Sequence, residues 1–132
     1  MTVISIGMVE LTSIAKGFLA ADAMLKAADV ELLMNRSICP GKFMIAVAGE
    51  VAAVEAAVAA GVRSADHTTV DSFVIPHIDS RILPAISGTN EPVGKGALGI
   101  IETFSVASCI EAADAALKAA DVDLIQLHLA MA

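Results

Sequence analysis

The chain has 132 residues and a formal net charge of -7, long enough for one domain with a real core or for one compact domain plus part of another. Only eight Lys and Arg are spread along it, so it has no basic stripe for phosphate and does not read as a nucleic-acid partner. Hydrophobic residues make up 57% and the mean hydropathy is +0.78. Even so, Asp22, Lys26, Glu50, Glu55 and Asp114 interrupt the apolar runs before they reach the roughly 18 residues of a membrane helix, so no membrane partner is expected. The apolar surplus in so short a chain favours an oligomer that buries flat, alanine-rich faces. The start MTVISIGMVE has no basic region leading into a signal core, and two cysteines make no disulfide framework. A reducing cytoplasm is the expected setting.

In chain order, Val3 to Val9 alternates as a strand, with Ile4, Ile6 and Met8 on one face. From Ser13 the period changes: Ile14, Phe18, Ala21, Leu25 and Ala28 recur at helical spacing, Thr12 or Ser13 can cap the first amides, and Asp29 ends the run. Val30 to Met34 resumes a strand, Cys39-Pro40-Gly41 turns the chain, and Phe43 to Ala48 returns. Gly49-Glu50 opens a second helix with Val51, Val54 and Val58 on one face and Gly61 expected at its end. Thr68 to Ile75 is a fourth strand broken by Pro76, and Asp79 to Ile86 is read as a short helix. The order β-α-β-β-α-β predicts an α+β, ferredoxin-like domain over residues 1–88.

Residues 89–96, within SGTNEPVGKG, read as a linker by composition. Beyond it the chain repeats itself: the segment from Gly7, GMVELTSIAKGFLAADAMLKAADVEL, matches that from Gly99, GIIETFSVASCIEAADAALKAADVDL, without gaps and with about 15 of 26 positions identical. In this register Ala132 corresponds to Pro40. Residues 97–132 therefore form a partial second copy, expected to hold the counterparts of the first strand, first helix and second strand. The chain is read as a fragment of a longer tandem protein.

The strand ending in GMVE, the helix carrying AADAMLKAADV, the turn SICPGKF, then AVAGEVAAVEAAVAAG and VIPHIDSRILPAI together resemble a bacterial microcompartment shell domain. With two copies, the chain is similar to the tandem-domain shell proteins, in particular the trimeric type of propanediol-utilisation microcompartments. The resemblance implies a structural protein and not an enzyme. It also implies a homotrimer that forms a six-sided tile and packs edge to edge with other shell proteins. In such tiles the loop between the second and third strands lines the central opening, which here is Ser37, Ile38, Cys39, Pro40, Gly41 and Lys42. Three Cys39 thiolates would meet there, and Met131 at the matching place in the second copy adds none. The resemblance thus implies an iron-sulfur cluster of the four-iron type shared by three chains, with zinc as the second choice. Taken alone, a single turn cysteine is more often inert.

Lys26 and Lys118 hold equivalent places in the two copies, and the family uses this lysine at tile edges. His77 lies in the family's edge segment. A solvated helix lysine is the plainer alternative. Cys109 reads as a small packing residue in a helix. Glu10 and Glu102 also recur and read as structural acceptors near a helix N-terminus rather than as catalysts. His67, His77 and His128 are far apart in sequence and show no metal-ligand spacing. Two other readings remain beside the shell tile: an electron carrier serving an encapsulated redox enzyme, and a small-molecule regulator on a ferredoxin-like fold.

Overall fold

The computed structural model describes residues 4–91, 94 and 96–130. Among these, the elements are β1 (Ser5–Leu11), α1 (Ile14–Ala27), β2 (Glu31–Ile38), β3 (Lys42–Gly49), α2 (Val51–Ala65), β4 (Thr69–Ile75), α3 (Ile82–Ile86) and α4 (Val106–Ala119). The strands make one antiparallel sheet in the order β2-β3-β1-β4, the ferredoxin-like α+β arrangement expected from the element order. Each long helix of the two copies starts in the same way. The Ser13 hydroxyl accepts from the Lys16 amide at 3.1 Å and the Ser105 hydroxyl from the Ser108 amide at 3.0 Å, which satisfies one open donor at each N-terminus.

The sheet is covered on both faces. On one, Val9, Leu11, Phe43, Ile45 and Val47 pack against α1 and α2 through Ala20, Ala21, Met24, Val54, Ala57 and Val58. On the other, Ile6, Met8, Met44, Ala46, Phe73 and Ile75 pack against α3 and, through Val106, Ile110, Ala113 and Leu117, against α4 of the second copy. Every residue of β1 is therefore buried. Burial of one such large side chain contributes about 1.5–3 kcal/mol, so the second copy's helix is a substantial part of the first copy's core.

Four expectations change. The first strand begins at Ser5 and extends to Leu11, and Val3 lies outside the described residues. The stripe Ile14, Phe18, Leu25 is not the inner face of α1; these three side chains are exposed, and Gly17, Ala20, Ala21 and Met24 face the core. Helix α2 runs on to Ala65, and Gly61 lies inside it, where a Cβ would come within 2.7 Å of Met24 and 3.1 Å of Val9. This glycine lets two helices and a strand approach one another instead of ending a helix. Finally, residues 97–103 and 121–129 form no strands. The first copy gives the reason: β1 pairs only with β3 and β4, and β2 pairs only with β3. Counterparts of β1 and β2 cannot pair with each other, and no counterpart of β3 lies within the 132 residues.

Gly17 sets the distance between α1 and the sheet, because a Cβ there would overlap the Phe43 ring. Gly17→Ala gains helix propensity but forces the buried ring aside, with an expected net loss of about 1–3 kcal/mol. Urea unfolding followed by circular dichroism measures it, and an unchanged midpoint would show that the ring moves freely.

Candidate functional site

The hairpin between β2 and β3 closes with Ile38 paired to Lys42 and Ser37 to Phe43, leaving Cys39-Pro40-Gly41 as its tip. The Cys39-Pro40 peptide is cis and Gly41 has φ of 63°, a left-handed conformation that glycine adopts without strain. Strand alternation then sorts the side chains. Ile38 turns into the core, while Ser37, Cys39, Pro40 and Gly41 are exposed. Cys39 carries a free thiol. Its amide donates to the Ala130 carbonyl at 2.9 Å, which ties the hairpin tip to the end of the second-copy segment.

Lys42 points away from the tip. Its ammonium donates to Glu10 Oε2 at 2.6 Å, and the fully buried Glu10 accepts the Ala107 amide on Oε1 at 3.0 Å. One carboxylate thus joins β1, the hairpin and the first turn of α4. Asp71 stands directly across from Glu10 on β4, an arrangement of like charges that is unfavourable by itself. The N-terminus of α4 lies between them and relieves it, since its dipole and open amides favour negative charge. Asp71 Oδ2 accepts the hydroxyls of Ser105 at 2.6 Å and Ser108 at 2.9 Å. Partial burial pushes the Asp71 carboxyl up, but these hydroxyls and the Ser72 amide outweigh it and hold the group below the ordinary carboxylate range.

The other end of α4 is seated as well. Buried Asp114 accepts the Asp79 amide at 2.8 Å and the Lys118 ammonium at 2.6 Å. Asp79 is itself held down to about 2 by hydrogen bonds from the Arg81 side chain. Lys118 therefore lies beside the turn that carries His77, an exposed residue with φ of 61°. Lys26 pairs with Asp22 at 2.7 Å in the same i,i+4 pattern, far more exposed to solvent. Lys118 is thus linked through Asp114 to Asp79, two residues past His77, whereas Lys26 pairs with Asp22 on its own helix. Cys109 is half-buried on α4, and Met131 lies outside the described residues.

The expected acceptor role of Glu10 appears, with a different partner. Its helix is α4, 97 residues away in sequence, and not α1, which follows it directly. Its ion pair with Lys42 and the part played by Asp71 were not read from the sequence; the recurrence of Glu10 as Glu102 was the one available signal. Among the described residues, no three His, Cys, Asp or Glu side chains converge on a metal-sized site. No helix among them is long and apolar enough to cross a membrane. Two surface clefts of about 230 and 270 Å³ lie among the described residues, the first beside Arg81 and Asn90 and the second beside Arg36 and His128.

The sequence model for the BMC domain matches residues 5–78 and 97–132. The chain is 53% identical to the bacterial microcompartment shell protein PduT of Citrobacter freundii, over 96% of this chain and 68% of that one. It is 38% identical to the major carboxysome shell protein CsoS1A of Halothiobacillus neapolitanus, over 61% of this chain and 82% of that one. A crystal structure of a microcompartment protein from Desulfitobacterium hafniense superposes with a TM-score of 0.74 at 44% identity, covering 95% of this chain and 69% of that one.

Glu10→Gln keeps the side chain's shape but leaves the Lys42 ammonium without its counter-charge and removes the negative charge from the start of α4. The expected cost is about 2–4 kcal/mol, read by urea unfolding, with faster amide exchange at Ala107. Glu31→Gln, exposed on β2, should stay within about 0.5 kcal/mol, and equal effects of the two would remove the special role of Glu10.

Proposed function

Because this chain belongs to the bacterial microcompartment shell proteins, a structural and not catalytic family, we propose that three copies form a pseudohexagonal tile whose central opening is lined by Ser37–Lys42. The chain is a shell subunit, and its place is the microcompartment shell. The organisation into a shell domain at 1–88, a linker at 89–96 and a partial second domain at 97–132 belongs to this proposal. The observation that carries the reading is the division of labour in the hairpin: Ile38 anchors it, Lys42 turns back to Glu10, and Cys39 alone presents a reactive group at the tip.

That donor set decides what can bind. One chain supplies a single exposed thiolate, too few for a soft metal centre. A threefold axis through the loop supplies three, which suits a four-iron cluster with one iron left to another ligand. Three cysteines and a water also suit zinc, the second choice. When bound, a cluster supplies a one-electron centre. The chain's own residues hold the loop in place, present Cys39, and keep the Lys42 cation paired with Glu10 and away from the tip. An encapsulated redox enzyme is the partner such a centre would serve, and propanediol degradation is the pathway the PduT likeness favours.

Cys39→Ser should abolish visible absorption and bound iron in protein purified without oxygen, while assembly persists, because an exposed turn substitution costs about 0.5 kcal/mol or less. Cys109→Ser should keep the iron. Full iron content in the Cys39 variant, or none in the unaltered protein, would end the cluster proposal.

Lys26, Lys118 and His77 are proposed to line the tile edge. If the lysines pack across tile boundaries, replacing both with Asp should abolish extended sheets and leave single tiles intact, since the new repulsion acts between tiles. Electron micrographs decide this. Unchanged sheets would make both lysines ordinary surface residues.

A further inference from the structure

One cleft of the molecule has no place in the shell reading. It measures about 270 Å³ and is walled by both copies: Arg36 of β2, Ala85 and Ile86 of α3, and Leu127, His128 and Leu129 of the second copy. Arg36 pairs across the sheet with Met44, whose side chain lies in the core shared with α3 and α4, so its own side chain projects from that same face. On the opposite wall Leu127 and Leu129 are buried, while Gln126 and His128 alternate outward. The cleft thus has an apolar floor, with half-buried Ile86 beside it, and two exposed hydrogen-bond donors in Arg36 and His128.

Charge sets this cleft apart from its surroundings. The chain carries a net charge of -7, yet no Asp or Glu lines the cleft. Lys26, Lys42, Arg81 and Lys118 each meet a carboxylate, whereas among the described residues Arg36 meets none. The other cleft differs, since Glu91 and Asp123 line it and its Arg81 is already paired with Asp79. The end of α3 at the rim does not oppose an anion either. The amides of Ser87, Gly88 and Thr89 satisfy the carbonyls of Leu83, Ala85 and Pro84.

The walls are fixed before any ligand arrives. The Arg81 side chain donates to the Val122 carbonyl at 3.0 Å, the Asn90 side chain to the Ile125 carbonyl at 2.9 Å, and the Cys39 amide to the Ala130 carbonyl at 2.9 Å. These bonds hold the second-copy wall to the first copy on either side of residues 126–129, so binding has little ordering left to do.

We propose that this cleft binds a short-chain aliphatic carboxylate. The guanidinium fork of Arg36 matches the two carboxylate oxygens, an imidazole N–H of His128 supplies a further donor, and the alkyl tail lies along the apolar floor. At about 30 Å³ for each water-sized group, the cleft takes a carboxylate of about six carbons. Inorganic phosphate or acetate would use the head site and leave the floor uncovered, and a neutral alcohol would do the reverse. The site lies within one chain and needs neither tile assembly nor Cys39.

Equilibrium dialysis of the full chain against hexanoate tests the proposal. Hexanoate should bind saturably, about one per chain, and at least about tenfold more tightly than hexanol, acetate or inorganic phosphate. Arg36→Gln should weaken it by at least about tenfold, Arg36→Lys by less because the charge stays and only the fork is lost, and His128→Ala by about threefold. Both side chains are exposed, so circular dichroism and the urea midpoint should stay near those of the parent. Lack of saturable binding, unchanged affinity in Arg36→Gln, or hexanol, acetate or phosphate binding as tightly as hexanoate would each overturn the proposal. Tile assembly and iron at Cys39 are read separately, so this site and the shell reading can fail independently.

Discussion

A single buried carboxylate holds the architecture together. Glu10 lies at the end of a central strand, fully buried, with the Lys42 ammonium on one oxygen and the Ala107 amide on the other. An isolated charge in such a place would cost several kcal/mol, and it persists only because both oxygens are satisfied by positive or donor groups. Neither donor is local in sequence. The hairpin must turn as it does for Lys42 to arrive, and α4 must cross the open face of the sheet for its first turn to arrive. With Asp71 beside it, Glu10 converts a repulsive carboxylate pair into a seat for a helix end.

The division between what was legible in the sequence and what was not follows the range of the interactions. Local periodicity is enough to locate β2, β3, β4 and the start of α1, and the repeat from Gly7 to Gly99 is visible without any structure. The facing of α1 is not legible in this way. Its Ile14, Phe18, Leu25 stripe is the larger apolar face, and in an ordinary lone domain it would point inward. The smaller residues point inward here because α1 must come close to α2 and to the sheet, where Gly17 meets Phe43 and Gly61 meets Met24. Gly61 misled for a related reason, since glycine serves both as a helix stop and as a place of close approach. The hairpin tip was legible as a turn, but the direction of Lys42 depends on Glu10, 32 residues away.

The two copies have diverged where their surroundings differ. The shared core of the helix motif, from AAD to LKAAD, keeps the i,i+4 pairs Asp22 to Lys26 and Asp114 to Lys118. Gly17 has become Cys109, and Phe18 has become Ile110. In the first copy Gly17 makes room for the Phe43 ring, and the Phe18 ring rests against the same residue with centroids 5.2 Å apart. In the second, Ile110 is pressed against the first copy's sheet. The same sequence element thus serves as inner and outer helix, and the substitutions at 17/109 and 18/110 lie where its neighbours differ.

The two-sided sheet also has a consequence during synthesis. Its last strand ends at Ile75, but the helix that covers its second face ends at Ala119, 44 residues later by subtraction. At about 5–20 residues per second, the ribosome takes about 2–9 s to deliver that cover. During that interval Met8, Met44, Phe73 and Ile75 form an apolar surface that only the short α3, and no long helix of their own chain, can shield. Nascent chains on neighbouring ribosomes expose the same surface at the same stage, and the repeat gives each of them a helix, α1, of nearly the right shape to occupy it. The order of the copies along the chain therefore sets a race between a chain's own α4 and a neighbour's α1.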